Sequence, residues 1–300
     1  MTYQMESSHI ADYRMYRLPG IDYPLRGPYW PLDGEVPVIS FLGAAQTFGA
    51  FCNHPFPNLL GEMCSAQVLN LARGGAGPGF YCGQEAVIEH VNRSRLCVVQ
   101  VMSARSSARN HLMSSPQGLA SVEFVAGPHK GRTMLGHHAF QLLRAELDHE
   151  SFLDLVRETT ANFLRQYEAL AAMIRVPKIL LHVGRFDPPP ALGPDPDPAD
   201  LDRLINAHPH MVTASDLEAL SGHFDATVKV TGPEGFDARL LDRITGRYCS
   251  IRRGEAQSIA RHSAYLSPFL HARVAVELFG RVNRIVNGRA GGGEGAKRPG

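Results

Sequence analysis

Four stretches of this sequence combine glycine, small residues and polar or cationic side chains in a way that suits an anion. They are Gly43-Ala44-Ala45-Gln46-Thr47-Phe48-Gly49, Asn70 to Gly79 (NLARGGAGPG), Ser103 to Asn110 (SARSSARN) and Gly184-Arg185-Phe186-Asp187. In the first, Gly43, Ala44 and Ala45 let backbone approach a ligand closely. The helix expected to follow offers unpaired N–H groups beside Gln46 and Thr47. In the second, four glycines fall within six residues beside Arg73, so N–H groups near Gly74 and Gly75 can form a nest for an oxyanion, phosphate or sulfate. Each of these two stretches can also be read as a tight turn, the second equally well. Arg73, Arg105, Arg109 and Arg185 carry guanidinium groups that grip a carboxylate, phosphate or sulfate through two parallel hydrogen bonds. The alternative is that they are solvated loop residues in a chain that favours arginine, since only 4 of its 30 basic residues are lysine.

Nucleophilic chemistry has three candidates here, Thr47, Ser103 and Cys82, and each requires a base within about 3 Å. Fourteen histidines raise the question of a metal. The densest are His137-His138, His149 and the pair His208/His210, but none has the i, i+4 helical spacing around an acid, and no carboxylate cluster accompanies them. No metal site and no cofactor are expected. Asp195, Asp197, Asp200 and Asp202 sit in or beside a proline-rich excursion, where solvation accounts for them. The five cysteines are odd in number and contain no C-x-x-C pair, against both a disulfide framework and a zinc ribbon. They point to a reducing compartment, hence the cytoplasm.

The elements that must position these residues alternate along the chain. Short apolar runs at Val36 to Leu42, Val68 to Leu71, Leu96 to Met102, Ile179 to Val183 and Ala226 to Val230 suit strands covered on both faces, as in a parallel sheet. Between and after them lie amphipathic helices. Phe152, Val156, Thr159, Phe163, Tyr167 and Leu170 recur every three or four residues over Asp148 to Met173. Leu270, Val274, Leu278 and Val282 do the same over Pro268 to Ile285, with Ser267 as N-cap and Pro268 at the first helical position. This alternation predicts an α/β protein: a three-layer α/β/α sandwich on a five-stranded, mainly parallel sheet. In such a sheet ligands bind outside the carboxyl ends of the strands, where all four polar stretches fall. Residues 1–35 read as a segment wrapping the sheet edge, 36–287 as a single α/β domain and 288–300 as a loose tail. Two interruptions stand inside the domain: 103–138, punctuated by glycine and without a sustained period, reads as a lid or binding loop. The proline run 187–198 reads as a stiff surface excursion.

The order of these loops resembles the SGNH (GDSL-like) hydrolase superfamily, and more closely an uncharacterised bacterial family of SGNH-like proteins. The likeness spans about Val36 to Val282, apart from the middle insertion, and implies a flavodoxin-like strand order. In that superfamily the first strand ends in a Gly-Asp-Ser turn bearing the nucleophile, and a glycine after the second contributes to the oxyanion hole. A polar segment follows the third strand, and an Asp-x-x-His pair precedes the last helix. Here Gly43 matches the turn, Asn70 with Gly74 or Gly75 resembles the second block, and His271 occupies the place of the catalytic histidine. The chain departs where chemistry is most demanding. Ala45 stands for the serine, Ala44 for the aspartate, and Pro268 for the acid three residues before His271. Alanine cannot attack a carbonyl, and a histidine without its carboxylate loses tautomer control.

Composition narrows the functions further. Thirty Lys+Arg against 29 Asp+Glu give a net charge of +1, so no overall field draws the chain to nucleic acid or an anionic membrane. Residues 1–20 contain charges but no apolar run of signal-peptide length, and no segment approaches 18 uninterrupted apolar residues, which predicts neither export nor a membrane span. Three functions fit: an SGNH-like domain acting on or binding a polar anionic, carbohydrate or acyl-carbohydrate ligand; a transferase using a phosphorylated or sulfated donor; or a noncatalytic partner-binding module. The first is the reading adopted, with Ser103, Thr47 and His271 as catalytic candidates and Gly43, Ala45, Gln46, Arg73, Gly74, Gly75, Arg105, Asn110 and Arg185 as ligand contacts.

Overall fold

The computed structural model describes residues 7–32, 34–194, 196–253 and 257–288. The five apolar runs form strands β1 (Val38–Leu42), β2 (Gln67–Asn70), β3 (Leu96–Gln100), β7 (Lys178–Gly184) and β8 (Ala226–Thr231) of one sheet, ordered β2-β1-β3-β7-β8. Every pairing is parallel, with Ile39 beside Val68 and Leu96, Val98 beside Ile179, and Leu181 beside Val228. In chain order that is a 2-1-3-4-5 doubly wound sheet, whose order reverses between β1 and β3.

Helices cover both faces, which is why the central strands carry apolar residues at consecutive positions. They are α1 (Ala45–Phe48), α2 (Phe56–Cys64), α3 (Pro78–Cys82), α4 (Glu85–Asn92), α5 (Gly136–Glu146), α6 (His149–Met173), α7 (Pro198–Asn206), α8 (Ala214–Ser221) and α9 (Pro268–Asn287). On one face Ile39, Phe41, Val98, Ile179, Leu181 and Val228 meet Phe56 and Leu60 of α2 and Leu270, Val274 and Leu278 of α9. On the other, Leu69, Cys97, Val99 and Leu180 meet α4 and the Phe152, Val156, Phe163 and Tyr167 stripe of α6. Ser267 caps α9 as expected from the sequence, accepting the Leu270 N–H at 3.4 Å, and Asp148 caps α6, accepting the Ser151 N–H at 2.9 Å.

Residues 103–138 are not a plain loop. They contain β4 (Met113–Ser114), β5 (Ser121–Phe124) and β6 (Thr133–Leu135), paired as a small antiparallel sheet that leads into α5. Strands of two to four residues are too short to display a period, although Val122 and Phe124 do point inward while Ser121 and Glu123 face solvent. A hairpin of β9 (Ile251–Arg253) and β10 (Gln257–Ile259) also escaped the sequence reading. The segment before β1 lies along the β2 edge, where Arg26 bridges Asn70 and the Tyr23 hydroxyl donates to the Leu71 carbonyl at 2.9 Å. Arg26 is buried, and its guanidinium donates to the carbonyls of Phe48, Gly49, Cys52 and Asn53. The expected tail falls, beyond Gly288, outside the described residues, as do residues 1–6 and Asp195 of the proline run. Among the described residues no helix is long and apolar enough to cross a membrane.

Candidate functional site

A cleft of about 590 Å³ opens at the carboxyl edge of the sheet. Four of its strand-end contributions follow from topology: Ala44, Ala45 and Gln46 after β1, Gly75 and Ala76 after β2, Ser103, Arg105 and Ser106 after β3, and Arg185 and Phe186 after β7. Phe236 after β8 and Ser263, Ala264 and Tyr265 ahead of α9 close one side. The other side is built by Ala120, by Gly136 and His137 at the start of α5, and by Arg203, Asn206, His208 and His210 from α7 and its exit. The middle insertion thus supplies a wall of the cleft.

Several residues singled out in the sequence meet there, and others do not. Gln46 lines the cleft and donates to the Ala264 carbonyl at 3.3 Å, tying the first loop to the last. Gly75 lines it with a left-handed φ of 81°, and a Cβ there would come within 2.9 Å of the Ala120 methyl; Gly74 is not part of the lining. Gly43 sits beneath the surface, where its N–H donates to the Tyr81 hydroxyl and its carbonyl accepts from it at 2.6 Å. Thr47 is buried and its hydroxyl donates to Gln100 Oε1 at 2.6 Å, away from the cleft lining. The same Gln100 oxygen accepts the Ala44 and Thr47 N–H groups, so two donors of the expected anion corner are already engaged.

Arg73 stacks between the rings of Tyr23 and Phe80, with centroids at 5.1 and 4.9 Å, and does not reach the cleft. Asn110 is a turn former: its Oδ1 accepts the Leu112 and Met113 N–H groups and its amide donates to Thr159. Arg109 is exposed on the small sheet's flank. Cys82 points at the Gln166 carbonyl, 3.5 Å away, and burial raises its thiol pKa above the ordinary range. All five cysteines are free.

His271 lies in the core and not in the cleft. It is fully buried, stacks on Phe56, and accepts the Phe56 N–H at Nδ1 over 3.2 Å. That N–H belongs to the first turn of α2, where no intrahelical acceptor exists, so the imidazole acts as a cap for a neighbouring helix. Burial, with Arg26 nearby, lowers its pKa to about 3.

The residue that sequence reasoning missed is His210. Its Nδ1 lies 3.0 Å from Ser103 Oγ, and Arg105 Nη2 lies 2.9 Å from each of its ring nitrogens. The His208/His210 pair was visible only as a local density of histidine; the long sequence separation from Ser103 concealed the contact. His210 is held from both sides, because its carbonyl accepts the Ala104 N–H and the next residue, Met211, donates to Leu204. Burial, with Arg105 and His208 adding to it, lowers the His210 pKa well below the imidazole range. His208 is likewise lowered to about 3, mainly by burial and then by His182 and Arg105. Both rings are therefore neutral at physiological pH. Arg105 is pulled down by burial to about 10 and stays protonated.

The charge of the cleft is thus that of its arginines. Arg185 is compensated by Asp237 at 2.6 Å, while Arg105 and Arg203 make no ion pair among the described residues, and no aspartate or glutamate lines the cleft. Among the described residues no three histidine, cysteine or acidic side chains gather into a metal-binding group.

Fold and cleft together define an α/β/α protein with its site at the carboxyl edge of a parallel, doubly wound sheet. Residues 1–114 match the family described as a domain of unknown function, DUF6473. No curated protein matches the chain. Solved structures similar to it include an acetyl xylan esterase, Est2A, from the rumen bacterium Butyrivibrio proteoclasticus, at 11% identity and a TM-score of 0.43, covering 89% of this chain and 67% of that one. A family two carbohydrate esterase from Clostridium thermocellum, in complex with cellohexaose, gives 10% identity and 0.39, over 88% and 68%. A protein from Slackia heliotrinireducens, classed provisionally as an SGNH hydrolase, gives 14% and 0.36, over 83% and 100%. The fold class rests on the strand order itself and not on these likenesses.

Proposed function

We propose that this chain is an SGNH-like α/β domain that takes a polar, anion-bearing ligand in the cleft at its sheet edge. One observation carries this reading: every charged side chain lining the cleft is an arginine, two of the three lack an acidic partner among the described residues, and no carboxylate faces the same space. Arg105 is partly withdrawn from water while Arg203 is exposed at the rim, and a guanidinium withdrawn from water binds phosphate, sulfate or carboxylate more strongly than an exposed one, because the attraction is less screened. The walls add Phe186, Phe236, Tyr265 and several alanines, which favour a ligand with an apolar or ring-shaped body beside its anionic group. The volume suits a small molecule of sugar-phosphate or acyl-sugar size.

The test is thermal unfolding in sulfate against chloride at matched ionic strength, for the natural chain and for Arg105→Met and Arg203→Met. A ligand that binds only the folded state raises the unfolding temperature in proportion to occupancy. Sulfate should stabilise the natural chain, and each substitution should remove most of that gain. An equal sulfate response in all three proteins would place the anion elsewhere and end this reading.

A further inference from the structure

The turn that follows β1 holds alanine where nucleophilic chemistry would need a hydroxyl, and His271 is a core residue that caps α2. A serine and an imidazole nevertheless meet inside the cleft, contributed by different segments. Ser103 leads the short turn Ala104–Ser107 after β3, and its Oγ lies 3.0 Å from His210 Nδ1. Both residues line the cleft, and both backbones are anchored: Met102, next to Ser103, donates to the Tyr167 hydroxyl at 2.7 Å, and the His210 carbonyl accepts the Ala104 N–H at 3.0 Å.

We infer that Ser103 is a nucleophile and His210 its general base, serving acyl transfer from esters that carry an anionic group. This rests on the anion-binding reading for its choice of substrate, but not for the pairing itself. Three features support it. The spacing is that of a hydroxyl poised for deprotonation. A neutral imidazole presents one ring lone pair, and His210 Nδ1 is the ring nitrogen that faces the Ser103 hydroxyl. Arg105 stands beside the pair as a fixed cation where an anionic group of the substrate, or the developing oxyanion, would sit.

The tautomer decides whether the pair is idle or active. A neutral imidazole has one N–H and one lone pair, and arginine only donates. While Arg105 donates to Nε2, the proton sits on Nδ1 and points at Ser103. When a substrate anion takes the guanidinium, Nε2 can hold the proton, and Nδ1 then accepts the Ser103 O–H. In the reaction, Ser103 Oγ bonds to the acyl carbon and the ester C–O bond breaks. The Oγ proton passes to His210 Nδ1 and from there to the departing alkoxide. Water then attacks the acyl-serine, gives its proton to His210, and the serine is regenerated with release of the acid.

A fluorophosphonate probe followed by peptide mass spectrometry tests the assignment. Ser103 should carry the adduct in the natural chain, the other serines of the cleft, Ser106 and Ser263, being distinguishable from it by fragmentation. Ser103→Ala should take up none, and His210→Gln should be labelled about 100-fold more slowly or worse. Circular dichroism confirms that each variant is folded, and the natural chain alone already identifies the modified residue. An adduct on another residue, or none on the folded natural chain, overturns the proposal. Running the labelling with and without sulfate separates the two readings: sulfate binding without a Ser103 adduct ends this inference alone, whereas a Ser103 adduct that sulfate neither slows nor speeds ends the anion-binding reading alone.

Discussion

Acidification should destabilise this protein at a pH where ordinary carboxylates are still largely ionised, and His271 should account for one proton of that response. Burial holds His182 and His262 near a pKa of about 4, and His208 and His271 near about 3, while His210 is lowered well below its ordinary value. In the unfolded chain each of these titrates near 6.5. A folded pKa below the unfolded one means that the unfolded state binds the proton first. The stabilising contribution is therefore complete above about pH 6.5 and is lost as the pH falls toward the folded values. Each of the three buried rings, His182, His262 and His271, removes about 1.4 kcal/mol per pH unit in that window, so about 2 kcal/mol each between pH 6.5 and 5. Together they approach about 6 kcal/mol, a large share of a domain's stability. The buried set thus predicts a marked loss of stability between pH 6.5 and 5. The lowered carboxyls of Asp148, Asp187 and Asp242 act in the same direction, but only below about pH 4, outside this window.

The substitution His271→Leu isolates one term. At pH 7.5 it leaves the Phe56 N–H without its acceptor, at a cost of about 1–3 kcal/mol. At pH 5 the natural chain has lost about the same amount through His271, so the two stability curves should converge as the pH falls. Urea unfolding followed by circular dichroism from pH 5.5 to 8 measures both slopes. The variant's dependence on pH should be shallower by one proton. Parallel curves would mean that His271 titrates normally in the folded state, and the placement of its ring against Phe56 would be wrong.

Three further perturbations follow from individual contacts. Gln100→Leu leaves the Ala44 N–H, the Thr47 N–H and the Thr47 hydroxyl without their shared acceptor, and thermal unfolding should fall by about 5 °C, from a loss of about 3 kcal/mol. Arg26→Met should lose at least about 3 kcal/mol by urea unfolding, since the carbonyls of Phe48, Gly49, Cys52 and Asn53 then face no donor; an unchanged midpoint would show that water takes over these sites. Gly75→Val, at a left-handed φ and against Ala120, should destabilise by about 1–2 kcal/mol and abolish the sulfate response; retention of that response would remove Gly75 from the site.

The fold was legible because its information is local and repeated. Apolar residues at nearly every position of Ile39 to Leu42 and Leu96 to Val101, broken only by Ser40 and Gln100, announce strands buried on both faces, and the Phe152 to Leu170 stripe announces a helix on one of them. Ser267 marks a helix start through chemistry confined to three residues. The site was legible only as an edge. Topology brought Gln46, Gly75, Ser103, Arg105 and Arg185 to one cleft, as the strand-end rule requires. It could not tell which loop residues turn inward. Arg73 is drawn between Tyr23 and Phe80, and Asn110 is spent on its own turn, because aromatic faces and free N–H groups lay closer than the cleft. The base beside Ser103 was invisible for a different reason: His210 arrives from the exit of α7, and nothing within one segment encodes a contact across that separation.

The central claim is that the sheet-edge cleft is an anion site. Crystals soaked in tungstate test it most directly, because the metal's anomalous scattering locates the oxyanion independently of the refined protein. The account predicts a peak within hydrogen-bonding reach of the Arg105 guanidinium, in the space enclosed by Gln46, Gly75 and Arg203. Tungstate bound only at other surfaces, with the cleft vacant at saturating concentration, would contradict it.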